Sequence, residues 1–200
     1  MSTAAHAADH SAAQAYEPSG VTNAKIGIWL FLASEIMLFA TLFTTYIVLR
    51  TSAASWPRGW DVLNIPLALT NTFVLISSSM TIVLAHGKTL ERDYAAFRKY
   101  MIMTIGLAFL FLIFKSFEYG AKIQHHYYPS TNVFFAIYYT MTGLHCLHVV
   151  GGIVVNWALL HLSKTQWDHP LFEGRIEAAG LYWHFVDIVW IFLFPALYLL

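Results

Sequence analysis

Residues 180–200 read GLYWHFVDIVWIFLFPALYLL. At 1.5 Å per residue about twenty apolar residues cross a hydrocarbon layer, so the stretch has the length and composition of a membrane helix. Yet it carries His184 and Asp187 in its first half. A charge exposed to acyl chains costs of order 3 kcal/mol or more. Such a stripe must therefore face protein, lipid headgroups or water. With Glu177 the pair falls at i, i+7 and i+10, one stripe at about 100° per residue. Phe185, Val186, Ile188 and Val189 lie away from it and suit lipid or a core.

The rest of the chain has the same character. Of 200 residues, 58% are hydrophobic and only 11% are Asp, Glu, Lys or Arg, against roughly 25% charged in soluble domains. The formal net charge is zero, which gives no electrostatic case for a nucleic-acid partner. The single cysteine, Cys146, sits in an apolar run, where it reads as a small buried residue. Residues 1–22 are Ala-, Ser- and His-rich, with neither an apolar block nor a basic start. They read as a flexible polar tail and not as a signal peptide. His6 and His10 in it could take a stray metal ion, with no motif behind them.

Five stretches are long and apolar enough to span: about 25–50, 66–86, 98–122, 131–162 and 176–199. The connections WPRGWDVLNIP, GKTLERDYAAFRK, QHHYYPST and SKTQWDHPLFEGR hold turn and interface residues. The expected fold is all-α: a bundle of five transmembrane helices, residues 23–200, because only helices satisfy their own backbone inside lipid here. With the N-terminus cytoplasmic, the inside segments hold Lys25, Lys88, Arg92, Arg98, Lys99, Lys164 and Arg175. The outside ones hold Arg50, Arg58 and Lys122. The positive-inside bias thus predicts N-terminus in and C-terminus out.

Ionisable residues inside spans are the candidate functional groups. Glu35, in IWLFLASEIMLF, stands about 15 Å along its helix from Lys25. It is a lone carboxylate suited to proton handling, or a protonated acid hydrogen-bonded to a neighbouring helix. His148, His184 and Asp187 fall at similar depth, so these four residues are expected to meet. Lys115 and Glu118, three apart on one helix face, are placed to neutralise each other. The His145-x-x-His148 spacing puts both rings on one face, but imidazoles also make plain interhelical hydrogen bonds. No Cys-x-x-Cys or His-Glu-x-x-His motif supports a metal. Gly143, Gly151 and Gly152 suit close helix packing.

Taken in order, these residues resemble subunit III of cytochrome c oxidase. Tyr182 to Phe192, YWHFVDIVWIF, is similar to the family's C-terminal signature. Ser34-Glu35 resembles its membrane glutamate. Asn64-Ile65-Pro66 with Thr70-Asn71-Thr72 resembles a helix start, and Ala85-His86 with Glu91 and Asp93 the end of that helix. Glu118-Tyr119, then Thr142-Gly143-Leu144-His145 with His148-Val149, complete the set over residues 27–199.

The resemblance implies a non-redox subunit with no catalytic or metal-ligating residue of its own. It implies a neighbouring catalytic subunit I that carries haem and copper, together with other oxidase subunits. Phospholipid bound to the chain and a larger respiratory supercomplex are further implied partners, in a bacterial cytoplasmic membrane. Glu35 would support proton uptake. His148, Glu177, Trp183, His184 and Asp187 would make lipid or interhelical polar contacts. The chain lacks two helices of the family's seven-helix form, and Cys146 replaces the usual glycine between the histidines. Subunit III of a quinol oxidase, or an accessory protein of nitric oxide reductase, are the alternatives within the resemblance. A free-standing transporter or proton channel lies outside it, and no paired broken helices support one.

Overall fold

Each apolar stretch closes its backbone hydrogen bonds within itself, and the result is five long helices. The structure is a computed structural model that describes residues 23–57 and 59–200; the polar tail 1–22, with its histidines, and Arg58 lie outside the described residues. The helices are α1 (Asn23–Ser52), α2 (Ile65–Leu90), α3 (Tyr94–Gln124), α4 (Val133–Gln166) and α5 (Phe172–Phe194). A single helical turn, Gly59–Val62, lies between α1 and α2, and a wider π-type turn, Pro195–Leu199, continues α5. Among the described residues there is no strand, and all five helices are long and apolar enough to cross a membrane.

Short links make successive helices antiparallel. We call the end that holds Lys25 the near end and the end that holds Ser52 the far end. Helices α2 and α3 pack most extensively. Helices α4 and α5 close the ring, with α5 also against α2, and α1 leans on the outside against α5 and α4. This gives a four-helix bundle with one flanking helix. Only 11% of the most apolar window of α1 is buried, against 33–44% for the others.

The helices overrun their expected ends, because interface residues stay helical past the hydrocarbon. The thirteen-residue connection GKTLERDYAAFRK shrinks to residues 91–93 between α2 and α3. Asp93 caps α3 by accepting from the Ala96 amide at 3.0 Å, and Arg92 takes the left-handed φ of 60° that the tight reversal needs. At the other end Asn64 caps α2 through the Leu67 amide, 3.1 Å, with Pro66 in the first turn, where a missing amide hydrogen costs nothing. Asn132 caps α4.

Two close approaches fix the geometry. A Cβ on Gly152 would lie 2.5 Å from Cζ3 of Trp183, so the indole packs on bare backbone of α4. Gly151 lies beside the Tyr182 hydroxyl. Gly143, expected to act alike, has nothing within 4 Å of a Cβ there. At the far end Gly59 abuts the Leu197 carbonyl and the Tyr198 backbone, docking the one-turn helix on the π turn.

Candidate functional site

Two polar centres stand inside the apolar bundle. The first joins α1 to α4. Glu35 Oε2 lies 2.9 Å from His148 Nε2, with both side chains largely buried. On its other side His148 Nδ1 lies 2.8 Å from the Leu144 carbonyl. A carbonyl only accepts, so Nδ1 must carry a hydrogen. The remaining proton is then shared: either the carboxyl donates to a neutral Nε2, or a doubly protonated imidazole faces a carboxylate. Both arrangements carry no net charge, which is why lipid tolerates the pair. The Phe39 ring meets His148 edge-on at 5.2 Å, and the Tyr182 hydroxyl donates to the His148 carbonyl at 2.9 Å.

The sequence places four residues at this depth, but only Glu35 and His148 meet. His184 turns to α2 instead, its Nδ1 2.6 Å from the Ser79 hydroxyl. Asp187 is buried, and neither carboxyl oxygen has a hydrogen-bond partner of good geometry. The Ser79 hydroxyl adjoins Asp187 as well as His184. His184 and Asp187 share a helix stripe, yet three residues apart they reach different neighbours. Glu177, at the near end, pairs with Lys25 of α1 at 2.9 Å, half exposed. A bridge this wet is worth about 0–1 kcal/mol.

His145 and His148 also part company. His148 faces α1, while His145 is wholly buried between Phe111 and Trp190, its ring 5.6 and 5.1 Å from theirs, with both nitrogens unpartnered. The tempting metal spacing therefore brings no pair of rings together, and among the described residues no group of three or more His, Cys, Asp or Glu side chains converges.

Trp183 and Trp190 are fully buried, and both donate to hydroxyls of α2: Trp183 Nε1 to Ser78 and Trp190 Nε1 to Thr72, each at 3.0 Å. With His184–Ser79 they form a polar seam between α5 and α2. Thr81 and Thr104 extend it to α3 at 2.7 Å. The hydroxyl positions of α2 are the part of this seam that sequence reasoning missed. Their spacing, Thr72, Ser78, Ser79 and Thr81, is the signal that could have found them.

The second centre lies at the far end. Lys115 and Glu118 pair at 2.9 Å, and Lys122 joins the same carboxylate at 3.4 Å; all three are buried. Glu118 Oε1 also accepts from Tyr198 at 2.7 Å and Tyr138 at 2.9 Å. The Lys115 ammonium donates to the Tyr198 hydroxyl at 2.6 Å and lies 4.7–5.7 Å from the ring centres of Trp190, Tyr198, Tyr138 and Tyr119. Aromatic faces attract a cation over such distances. The sequence placed Lys122 at the outer end of its span; in the structure it turns inward to Glu118 and is buried. The Tyr198 hydroxyl comes from 80 residues away and has no local signal.

A five-helix chain with these two centres is a membrane subunit with a polar interior, and its ordered motifs have known counterparts. The family model for cytochrome c oxidase subunit III matches residues 7–200. Cytochrome c oxidase subunit 3 of Alkalihalophilus pseudofirmus is 34% identical over 181 residues, 89% of this chain and 87% of that protein. The protein of the same name from Corynebacterium diphtheriae is 34% identical, with 86% of each chain covered. Subunit 3 of the cytochrome bo(3) ubiquinol oxidase of Pseudomonas aeruginosa is 32% identical over 98% of this chain and 93% of its own. The chain belongs to the cytochrome c oxidase subunit III family. It is an integral membrane protein and a subunit III of a haem–copper respiratory oxidase.

Proposed function

We propose that this chain is the non-redox subunit III of a proton-pumping terminal oxidase that reduces oxygen to water. In this reading it stabilises the complex, retains lipid and supports proton uptake by catalytic subunit I. Haem and copper belong to that partner and supply the redox chemistry. The near end faces the cytoplasm, in a bacterial inner membrane, as the Lys and Arg distribution suggests.

The Glu35–His148 pair carries the reading. With Nδ1 held by the Leu144 carbonyl, the pair keeps one proton movable between Oε2 and Nε2 over 2.9 Å. It can hold a proton in an apolar layer without net charge and pass it on at little cost. It also lies at the open edge between α1 and the bundle, each side chain retaining 12–15% exposure. A proton can therefore reach it from beside the subunit. His148 serves as the positioning base and Glu35 as the exchanging acid. The trapped polar seam of α5 and α2 holds the bundle in register beneath them.

Glu35→Gln tests this. An amide at that position cannot exchange a proton with Nε2, although it still hydrogen-bonds. The haem spectrum and subunit composition of the assembled complex should be unchanged, while proton uptake slows or the active lifetime shortens. Native turnover and pumping through prolonged catalysis would remove Glu35 from the role.

A second reading concerns the electron donor. The Pseudomonas aeruginosa quinol oxidase relative spans 98% of this chain, so a quinol-oxidising complex remains in play beside a cytochrome c-oxidising one. Native purification through a tag on this chain, with identification of the companion chains and a reduced-minus-oxidised spectrum, separates them. A nitric oxide reductase subunit among the companions would point to the accessory reading instead.

A further inference from the structure

An apolar groove of about 750 Å³ runs between α1 and α5. Its walls are hydrocarbon and aromatic, Leu32, Ile36 and Phe43 on one side and Ile188 and Phe192 on the other. From Trp29 to Phe43 along α1 it extends about 21 Å. Apart from the Trp29 indole at its near end, the polar side chain in its lining is the imidazole of His184. Ser79 occupies Nδ1 of that ring at 2.6 Å, and Nε2 has no partner among the described residues. His184 is the thirteenth of the 28 residues in its span, Phe172–Leu199, and so stands near mid-depth.

We infer that this groove binds an isoprenoid quinone, with the head against His184 Nε2 and the tail laid along α1 and α5. The match is chemical. A phospholipid acyl chain would fill the apolar walls, but it has no group for an imidazole nitrogen at mid-depth, and hydrocarbon penalises an unmet polar atom. A quinone brings a flat carbonyl ring and a branched apolar tail. The Ser79–His184 contact suits both of its oxidation states. When the serine hydroxyl donates to Nδ1, Nε2 bears the hydrogen and donates to a quinone carbonyl. When Nδ1 donates to the serine, Nε2 accepts from a quinol hydroxyl. Phe185, on the same wall as His184, offers an aromatic face to the ring. Binding alone is inferred, with no electron transfer at this site. The inference goes beyond the proton-holding role and does not depend on it.

The test is photo-crosslinking of the native complex in membranes with an azido-quinone, followed by peptide mapping. Label is expected on this chain within residues 29–43 and 181–200, and should fall at least tenfold in His184→Leu. Ile188→Trp, which fills the groove and leaves His184 in place, should abolish it as well. Label confined to other chains, or undiminished in both variants, would overturn the inference. So would recovery of phospholipid alone from the groove of the purified complex. Failure of this test leaves co-purification with the oxidase, and hence the assignment of the complex, untouched; absence of the oxidase subunits would instead fail that assignment and leave the groove labelling to be read by itself.

Discussion

Glu118→Gln is the most demanding test of the far-end centre. One carboxylate serves two ammonium groups, at 2.9 and 3.4 Å, and two phenols, at 2.7 and 2.9 Å. The amide can still accept from one phenol, but it strands Lys115 and Lys122, which are 2% and 5% exposed. Removing one partner of a buried pair costs about 3–5 kcal/mol, because the remaining charge stays desolvated. Here two charges remain, so the loss belongs at or above the upper end of that range. At 5 kcal/mol the folded-to-unfolded ratio falls by about three and a half orders of magnitude. Lys122→Met should cost a fraction of that, since Lys115 and Glu118 then balance. The assay is retention of this chain in the detergent-solubilised complex as temperature rises, with the three proteins side by side. Native-like retention of Glu118→Gln, or greater damage from Lys122→Met, would refute a shared carboxylate that balances the buried lysines.

Four further substitutions follow from the packing. Gly152→Ala places a methyl group 2.5 Å from the Trp183 ring and should cost about 1–3 kcal/mol by overpacking, while Gly143→Ala, with open space around it, should be neutral or stabilise by up to about 1 kcal/mol through helix propensity; thermal retention of the two variants compares them directly. Gly59→Ala drives a methyl group into the Leu197 carbonyl, main chain against main chain, and should loosen the far-end turn, read as faster proteolysis between α1 and α2. Trp190→Phe loses both the bond to Thr72 and part of a fully buried ring, so its expected loss exceeds the roughly 0.6–1.7 kcal/mol of an interhelical hydrogen bond in lipid by a cavity cost, measured by the same retention assay.

The five spans were legible because lipid imposes a length and a polarity on each of them. Their ends were not, because interface residues such as Lys88, Tyr94 and Lys164 continue the helix after the hydrophobic signal stops. Depth could likewise be counted along a helix, and it brought Glu35 and His148 to one level. Azimuth could not. Whether His184 faces Glu35 or Ser79 is decided by how α5 rotates against α2, and that is set by Trp183 lodging on Gly152 and bonding Ser78. The local pair Lys115–Glu118 could be read from i,i+3 spacing. Its completion by Tyr138 and Tyr198 could not, since these arrive from α4 and from the π turn beyond α5.

These contacts also explain how α1, the least embedded helix, is held in place. It is outside the four-helix ring, and most of its apolar surface is unburied by this chain. Among the described residues three polar ties hold it: Lys25 to Glu177 at the near end, Glu35 to His148 in the middle, and at the far end Tyr46 and Arg50 to the carbonyls of Ala196 and Leu200, at 2.6 and 2.8 Å. The near tie is half exposed and weak. The far tie grips the π turn, which Tyr198 in turn anchors to Lys115 and Glu118. The middle tie positions the helix and, in the proposed role, also holds the movable proton. A neighbour covering the open face of α1 would desolvate that pair without touching the bundle, and a neighbour leaving would hydrate it. The hydration of Glu35–His148 is thus coupled by geometry to whatever packs beside this subunit, while the four-helix ring supplies the rigid wall against which that coupling acts.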